Sequence, residues 1–452
     1  MPCPDIFPDT VTHLYTQNRF AIDGAVEMYY YEVYAMWSGA GSLTLKTNVQ
    51  AAGKYELALC CSVLVDSVDV RVEIAGRAAT ATIGRTWGVW IDPGKLDYNF
   101  ERVPLSVSLD LPEGPAEVKV SVTGELPAKA FNLVSLELTP VAAKKAIAAE
   151  EKKHLAYKAD PDWFVQAGYG LMFHWTDGSP MPDGQKKPYA RGVADFDVEK
   201  WAQMVEDTGA RYAFITANHG TAHFPAPLKF WEQTHPGLTT KRDLIADMIE
   251  ALGRRDIRMA CYLNCPTFSN LRKKGPRPAR TLEDYFEVNR RMFEEVGSRY
   301  GDGVAAYWLD SWYQPFIWYG RFPIQALYPA TKTGWKDRMV AFNHWVFPVP
   351  TLCQDYWAAE MYKLLPATIE TRCFQAGAAK GLQYHALLAL DDWGTSVPPK
   401  PAVWSGEVLA EYIGRAMSAQ GVVTVNIGIY QDGTISPEAT EVMRTVRRTI
   451  RG

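Results

Sequence analysis

Histidines, carboxylates, amides and tryptophans stand at the ends of a series of short apolar runs in this chain of 452 residues. GLMFHW ends in His174 and Trp175, YAFITANH in Asn218 and His219, RMACYLN in Tyr262 and Asn264, and AAYWLDSW in Asp310 and Trp312. RMVAFNHW follows with Asn343 and His344, TIETRCF carries Glu370, HALLALDDW ends in Asp392 and Trp393, and VVTVNIG contains Asn426. One polar residue closing an apolar run is an ordinary turn former or helix cap. Eight in succession imply a ring of functional side chains. Carboxylates in such a ring can serve as nucleophile or general acid and base. Amides and histidines can hold hydroxyls, and aromatic faces can cover C–H surfaces. No glycine-rich phosphate cradle accompanies the ring, so phosphate and cofactor chemistry give way to a sugar-type site with no cofactor and no metal.

Those runs must be strands brought to one rim. Between them lie amphipathic segments, such as DVEKWAQMVEDTGA with Val198, Trp201, Met204 and Val205 at helical spacing. Eight strand candidates alternating with helices predict an α/β fold, a (β/α)8 TIM-like barrel over residues 160–452, with its chemistry at the C-terminal strand ends. Before it, LTLKTNVQ, YELALCCSVLV, VDVRVEIAG, VPLSVSLDL and AEVKVSVTG are short, β-rich and separated by turn signals. They predict an all-β antiparallel sandwich over residues 1–140. The Ala-, Lys- and Glu-rich stretch 141–159 reads as a helical connector.

Composition narrows the partners. Lys and Arg number 47 against 51 Asp and Glu, a formal net charge of −4, which lacks the basic footprint of a nucleic-acid binder. With 47% hydrophobic and 22% charged residues the chain is globular. No run approaches the ~18 apolar residues of a membrane span. The N-terminus shows no signal-peptide pattern, which leads us to expect a cytoplasmic protein. Seven irregularly spaced cysteines read as buried reduced thiols rather than a zinc set. Aromatic residues make up 12% of the chain, and the expected partner is a glycan or glycoside. Self-association into a homo-oligomer is left open.

Six segments of the barrel, in order, resemble glycoside hydrolase family 29, the α-L-fucosidases. GLMFHWT is similar to the family's GIFIHWG, and FDVEKWAQMVEDTGARY to its FDAxxWAxLxKxAGAKY. TANHGTAHF is an altered form of TxKHHDGF, and RDLIADM…DIRMACYLN resembles RDLVxEL…GLKFGLYYS. YWLDS matches the nucleophile strand LWFDG, and QGVVTVNIGIYQDGTI matches the closing GGNLLLNIGPxxDGxI. The resemblance covers essentially all of residues 160–450. It implies a retaining exo-glycosidase that works by double displacement, with Asp310 as nucleophile. Such an enzyme needs a second carboxyl about 5–5.5 Å away to protonate the leaving oxygen. Asp355-Tyr356-Trp357-Ala358-Ala359-Glu360 keeps the family's Asp-to-Glu offset and nominates Glu360. Glu370, similar to the family's Trp-Glu-Thr position, is the alternative, and Asp391 or Asp392 comes third. His174 and His219 are implied as hydrogen-bond donors to sugar hydroxyls, with Tyr262 near the nucleophile. Trp175, Trp308, Trp312, Trp393, Asn343 and His223 are candidates for substrate contact.

The sequence departs from the pattern in places. The doubled histidine becomes His219-Gly220, with His223 available to refill the space. The Asn-Asp-Arg after the fifth strand is Asn343-His344-Trp345, so the basic residue is missing. The family's Glu-Trp-Tyr is absent from the loop after His174, and the sandwich precedes the barrel instead of following it. The sandwich resembles carbohydrate-binding modules in outline, with packing against the barrel as its plainer role. Two other readings stand beside the fucosidase one. One is a metal-dependent barrel hydrolase using His174, His219, His223, His344 and Asp310. The other is a non-catalytic sugar-binding protein.

Overall fold

Alternation of period two in the first third of the chain builds a nine-stranded antiparallel sheet. Its strands are β1 (Thr12–Tyr15), β2 (Ala21–Tyr29), β3 (Tyr34–Val49), β4 (Gly53–Val63), β5 (Ser67–Ile74), β6 (Arg77–Gly84), β7 (Glu101–Leu111), β8 (Gly114–Val122) and β9 (Phe131–Pro140). The order is β6-β5-β8-β3-β9-β4-β7, with β1 on β9 and β2 on β3. Its two ends, β6 and β7, approach each other, so the sheet curls into a nearly closed sandwich. In β5 the residues Val68, Val70, Val72 and Ile74 point inward while their neighbours face solvent, as a one-sided sheet requires. The computed structural model describes residues 3–29, 34–86, 100–264, 281–344, 350–361, 371–375 and 379–452.

A helix at Lys144–Leu155 follows, and then eight parallel strands. These are β10 (Tyr169–Phe173), β11 (Tyr212–Asn218), β12 (Arg258–Asn264), β13 (Val304–Asp310), β14 (Met339–Phe342), β15 (Glu360–Met361), β16 (His385–Ala389) and β17 (Val422–Asn426). Strands such as YAFITAN are buried along their whole length, the signature of parallel strands covered on both faces. Their inward residues, among them Met172, Phe214, Ala260, Tyr262, Ala306 and Trp308, fill the barrel. Gly170 is required there: a Cβ would lie 2.4 Å from the ring of Tyr212, whose hydroxyl crosses the lumen to Val423 O and Thr424 Oγ1.

The strand order is β14-β13-β12-β11-β10-β17-β16-β15, so the ladder opens between β14 and β15. Side chains stand in for the missing strand pair. Gln354 Oε1 accepts from Phe342 N at 3.2 Å, and Asp355 Oδ2 accepts from Val340 N at 2.7 Å. Asp355 is itself anchored by Lys332 Nζ (2.6 Å), the hydroxyl of Tyr328 (2.5 Å) and Ala159 N (2.7 Å). The sixth strand differs from the expected one. It is Glu360–Met361, while Thr371–Cys373 of TIETRCF is a bend and an isolated bridge to Gln383. Residues 362–370, including Glu370, lie outside the described residues.

The sandwich rests on the barrel beside the loop that follows β13. His13 N donates to Gly320 O at 2.6 Å, and Asn18 Nδ2 donates to Ile317 O at 3.1 Å. Tyr15, Tyr34, Cys60, Phe100 and Val134 of the sandwich share one apolar cluster with the outer layer of the barrel. Among the described residues the cysteines are free, and four of them are buried.

Candidate active site

Alternation along each strand decides which strand-end residue enters the lumen. Ala306, Trp308 and Asp310 share one face of β13 and point inward. Asp310 therefore sits above Trp308, at the floor of a cavity of about 370 Å3. The cavity is lined by His174, Thr176, His219, Tyr262, Trp308, Asp310, Glu360, Trp393 and Gly394. Seven of these are residues expected from the sequence. Glu360 enters the ring as the start of β15 rather than from a loop.

Asp310 is held by four donors. Its Oδ2 accepts from the hydroxyl of Tyr262 (2.6 Å), Asn264 Nδ2 (3.1 Å) and Ser311 Oγ (3.0 Å). Its Oδ1 accepts from Asn343 Nδ2 at 2.8 Å. The same nitrogen of Asn343 donates to Glu360 Oε2 at 3.0 Å. One amide thus spans the seam between the fifth and sixth strands and ties the two carboxylates together. An ideal NH2 group directs its two hydrogens about 120° apart, and two acceptors at 2.8 and 3.0 Å along those directions would stand about 5 Å from each other. Ser311 adopts a left-handed backbone conformation (φ 65°), a strained geometry that turns the chain immediately after Asp310.

The opposite wall is aromatic and imidazole. The rings of His219 and Tyr262 stack at 5.6 Å, and Tyr262 stacks on Trp308 at 5.2 Å. His174 meets Tyr262 edge-on at 4.7 Å and Trp393 at 5.8 Å. Its Nδ1 lies 2.7 Å from Asn426 Oδ1. Burial, reinforced by the neighbouring His219, pushes the imidazole of His174 down to about 4 and keeps it neutral. Burial lowers His219 as well, against the opposing pull of Asp310 and Asp177. Burial and the adjacent Asp310 drive the Tyr262 phenol well above its ordinary value, so it remains a donor.

Several expected substrate contacts belong elsewhere. Trp175 follows the inward His174 and therefore points outward. It packs on Tyr189 and Phe196, with its indole N–H on Gln431 O. After the turn at Ser311, Trp312 is likewise core, against Phe293, Phe322 and Phe342. His223 does not refill the second histidine position. It stacks on Tyr189 at 4.5 Å, away from the cavity lining. His344 alternates outward from Asn343 and lies by Phe316. Asp391 is tied to Gly428 N and Asp392 N, and Asp392 pairs with Lys400 at 2.9 Å. Among the described residues no group of three or more His, Cys, Asp or Glu is arranged to hold a metal ion. Asn264 and Asn426 stand in the strand-end ring read from the sequence, but no role was given there to either of them or to Ser311. For Asn264 and Asn426 the available signal was their strand-end register, and Ser311 had none.

Known proteins resemble the chain along this same stretch. The family model described as Alpha-L-fucosidase matches residues 189–448. The chain is 22% identical to an alpha-L-fucosidase of Branchiostoma floridae over 329 residues, covering 63% of this chain and 69% of that one. It is 25% identical to the tissue alpha-L-fucosidase of Rattus norvegicus over 325 residues, or 61% and 65% of the two chains. The match to the tissue alpha-L-fucosidase of Macaca fascicularis, 26% identical over 134 residues, covers 23% of this chain and 28% of that protein's length. Alpha-L-fucosidase isoenzyme 1 from Paenibacillus thiaminolyticus aligns in structure with a TM-score of 0.49 and 15% identity, over 67% of this chain and 76% of that one. With more than half of its length matched by that family model, the chain belongs to the alpha-L-fucosidase family.

Proposed function

We propose that the chain is a retaining α-L-fucosidase with Asp310 as nucleophile and Glu360 as acid and base. The observation that carries this reading is the single nitrogen of Asn343 shared by Asp310 Oδ1 and Glu360 Oε2. A separation of about 5 Å suits direct attack by one carboxylate. An inverting enzyme needs about 6.5–9.5 Å, to leave room for a water between its carboxyls.

In the first step Asp310 Oδ1 attacks the anomeric carbon. The glycosidic C–O bond breaks, and Glu360 gives its proton to the leaving oxygen. Asp310 Oδ2, carrying three of the four hydrogen bonds, stays anchored and holds the attacking oxygen in line. In the second step Glu360 takes a proton from water, the water oxygen attacks the same carbon, and the Asp310 ester bond breaks. Trp308, Tyr262 and Trp393 supply apolar faces for the C–H side of the glycone. Burial keeps the histidines neutral, and among the described lining residues no Lys or Arg stands, which suits an uncharged sugar.

The test is hydrolysis of 4-nitrophenyl α-L-fucoside by the wild type, Asp310→Asn and Glu360→Gln, beside a panel of other aryl glycosides. Fucoside turnover lost by roughly 10³-fold or more in Asp310→Asn is expected, since no other group replaces the nucleophile. Wild-type rates in that variant, or no turnover of any glycoside by the wild type, would overturn the proposal.

A further inference from the structure

His174 faces the cavity with one ring nitrogen already committed, and the partner of that nitrogen dictates which one carries the proton. The chain of contacts begins at the backbone carbonyl of Asp392, which can only accept. Asn426 Nδ2 donates to it at 2.7 Å. That contact orients the amide, so Oδ1 of Asn426 is the atom turned toward His174, 2.7 Å from its Nδ1. An amide oxygen also only accepts, so Nδ1 must bear hydrogen. In a neutral imidazole the other nitrogen, Nε2, then bears a lone pair. The groups around the ring are His219, Tyr262, Trp393 and the carboxylate of Asp310, and burial keeps the ring neutral.

We infer that Asn426 is a positioning residue that locks His174 in its Nδ1–H tautomer, making Nε2 a hydrogen-bond acceptor that selects a glycone bearing a donating hydroxyl. This reverses the donor role expected for His174. The glycone part rests on the fucosidase reading; the tautomer does not. The selectivity is specific. A hydroxyl replaced by fluorine or a methyl ether can accept but cannot donate, so it should be refused at this position. A donating imidazole would tolerate the same replacement. A site that loses the hydroxyl it is built to hold discriminates by about 10–100-fold for one neutral hydrogen bond.

Two measurements on the full-length protein test this. With 15N-labelled histidine, and the signal of His174 assigned by its loss in His174→Gln, the tautomer is read directly without substrate. The expected spectrum near neutral pH has Nδ1 protonated and Nε2 bare. A protonated Nε2 in the wild type overturns the inference. In Asn426→Leu the preference should relax toward Nε2–H. Asn426→Asp, which keeps the acceptor oxygen, should keep Nδ1 protonated and serves if the leucine variant does not fold.

The second measurement is kinetic, with 4-nitrophenyl α-L-fucoside and its 3- and 4-deoxyfluoro analogues. Asn426→Leu should lower kcat/KM for the parent by about 10–100-fold, mostly through KM, and change it little for the one analogue already refused. An equal loss on the parent and both analogues overturns the selectivity claim. A wild type with the expected spectrum but no glycosidase activity overturns the fucosidase reading alone.

Discussion

Asn343→Ala removes a nitrogen that touches both carboxylates, and its consequences can be worked out bond by bond. A hydrogen bond to a charged group is worth about 1.5–3 kcal/mol. Loss of the 2.8 Å bond to Asp310 Oδ1, at about 2 kcal/mol, would cost about 30-fold in rate. Loss of the 3.0 Å bond to Glu360 at similar cost would bring the total to about 10³-fold. The two contributions separate by leaving group. A misplaced nucleophile slows every substrate alike, whereas a misplaced acid slows most the substrates whose leaving oxygen needs a proton. The assay is kcat/KM for aryl α-L-fucosides with phenols of graded acidity. We expect Asn343→Ala to lower all rates and to steepen their dependence on phenol pKa. Rates within about threefold of wild type across the series, with an unchanged slope, would refute the bridging role.

Tyr262→Phe removes the 2.6 Å donor to Asp310 Oδ2 and should lower kcat about 10-fold or more with little change in KM, measured in steady state. Trp175→Phe should leave KM near wild type while lowering the thermal midpoint, whereas Trp393→Ala should raise KM, because only Trp393 lines the cavity. Asp355→Asn breaks the buried pair with Lys332 and should cost about 3–5 kcal/mol of stability in urea titrations. Burial, with His13 nearby, holds His344 down at about 3, while in the unfolded chain a histidine titrates near 6.5. The unfolded chain therefore binds more protons between those values, so stability should fall as pH drops through that window. His344→Phe should fall less over the same range in pH-dependent denaturation.

Much of the site could be read from strand ends because inward and outward positions alternate. His174, His219, Tyr262, Asp310 and Trp393 each close an apolar run, and each lines the cavity. The same alternation, applied to one side chain at a time, would have sent Trp175 and His344 outward. The aromatic character of Trp175 made it a candidate for substrate contact, and the imidazole of His344 made it a candidate metal ligand in the alternative reading. Trp312 was harder, because the left-handed turn at Ser311 breaks the register and nothing in the residue type announces it. The sixth strand was misread because TIETRCF has strong β propensity while AAEM has little. The short strand at Glu360–Met361 sits at a seam held by Gln354, Asp355 and Asn343 side chains rather than by a full ladder. Side-chain closure of that kind has no periodic signal in a sequence. Asn343 was named as a substrate contact, yet its bond to both carboxylates depends on the seam bringing β14 and β15 together.

In the proposed mechanism Asp310 attacks the sugar directly, with Glu360 close enough to serve it in both steps. The most direct test is the configuration of the first-formed sugar, followed by 1H NMR during rapid hydrolysis of an aryl α-L-fucoside before mutarotation. Direct attack through a covalent intermediate predicts α-L-fucose as the initial product. Initial appearance of the β anomer would mean that water attacked in one step and would contradict the roles assigned to Asp310, Asn343 and Glu360.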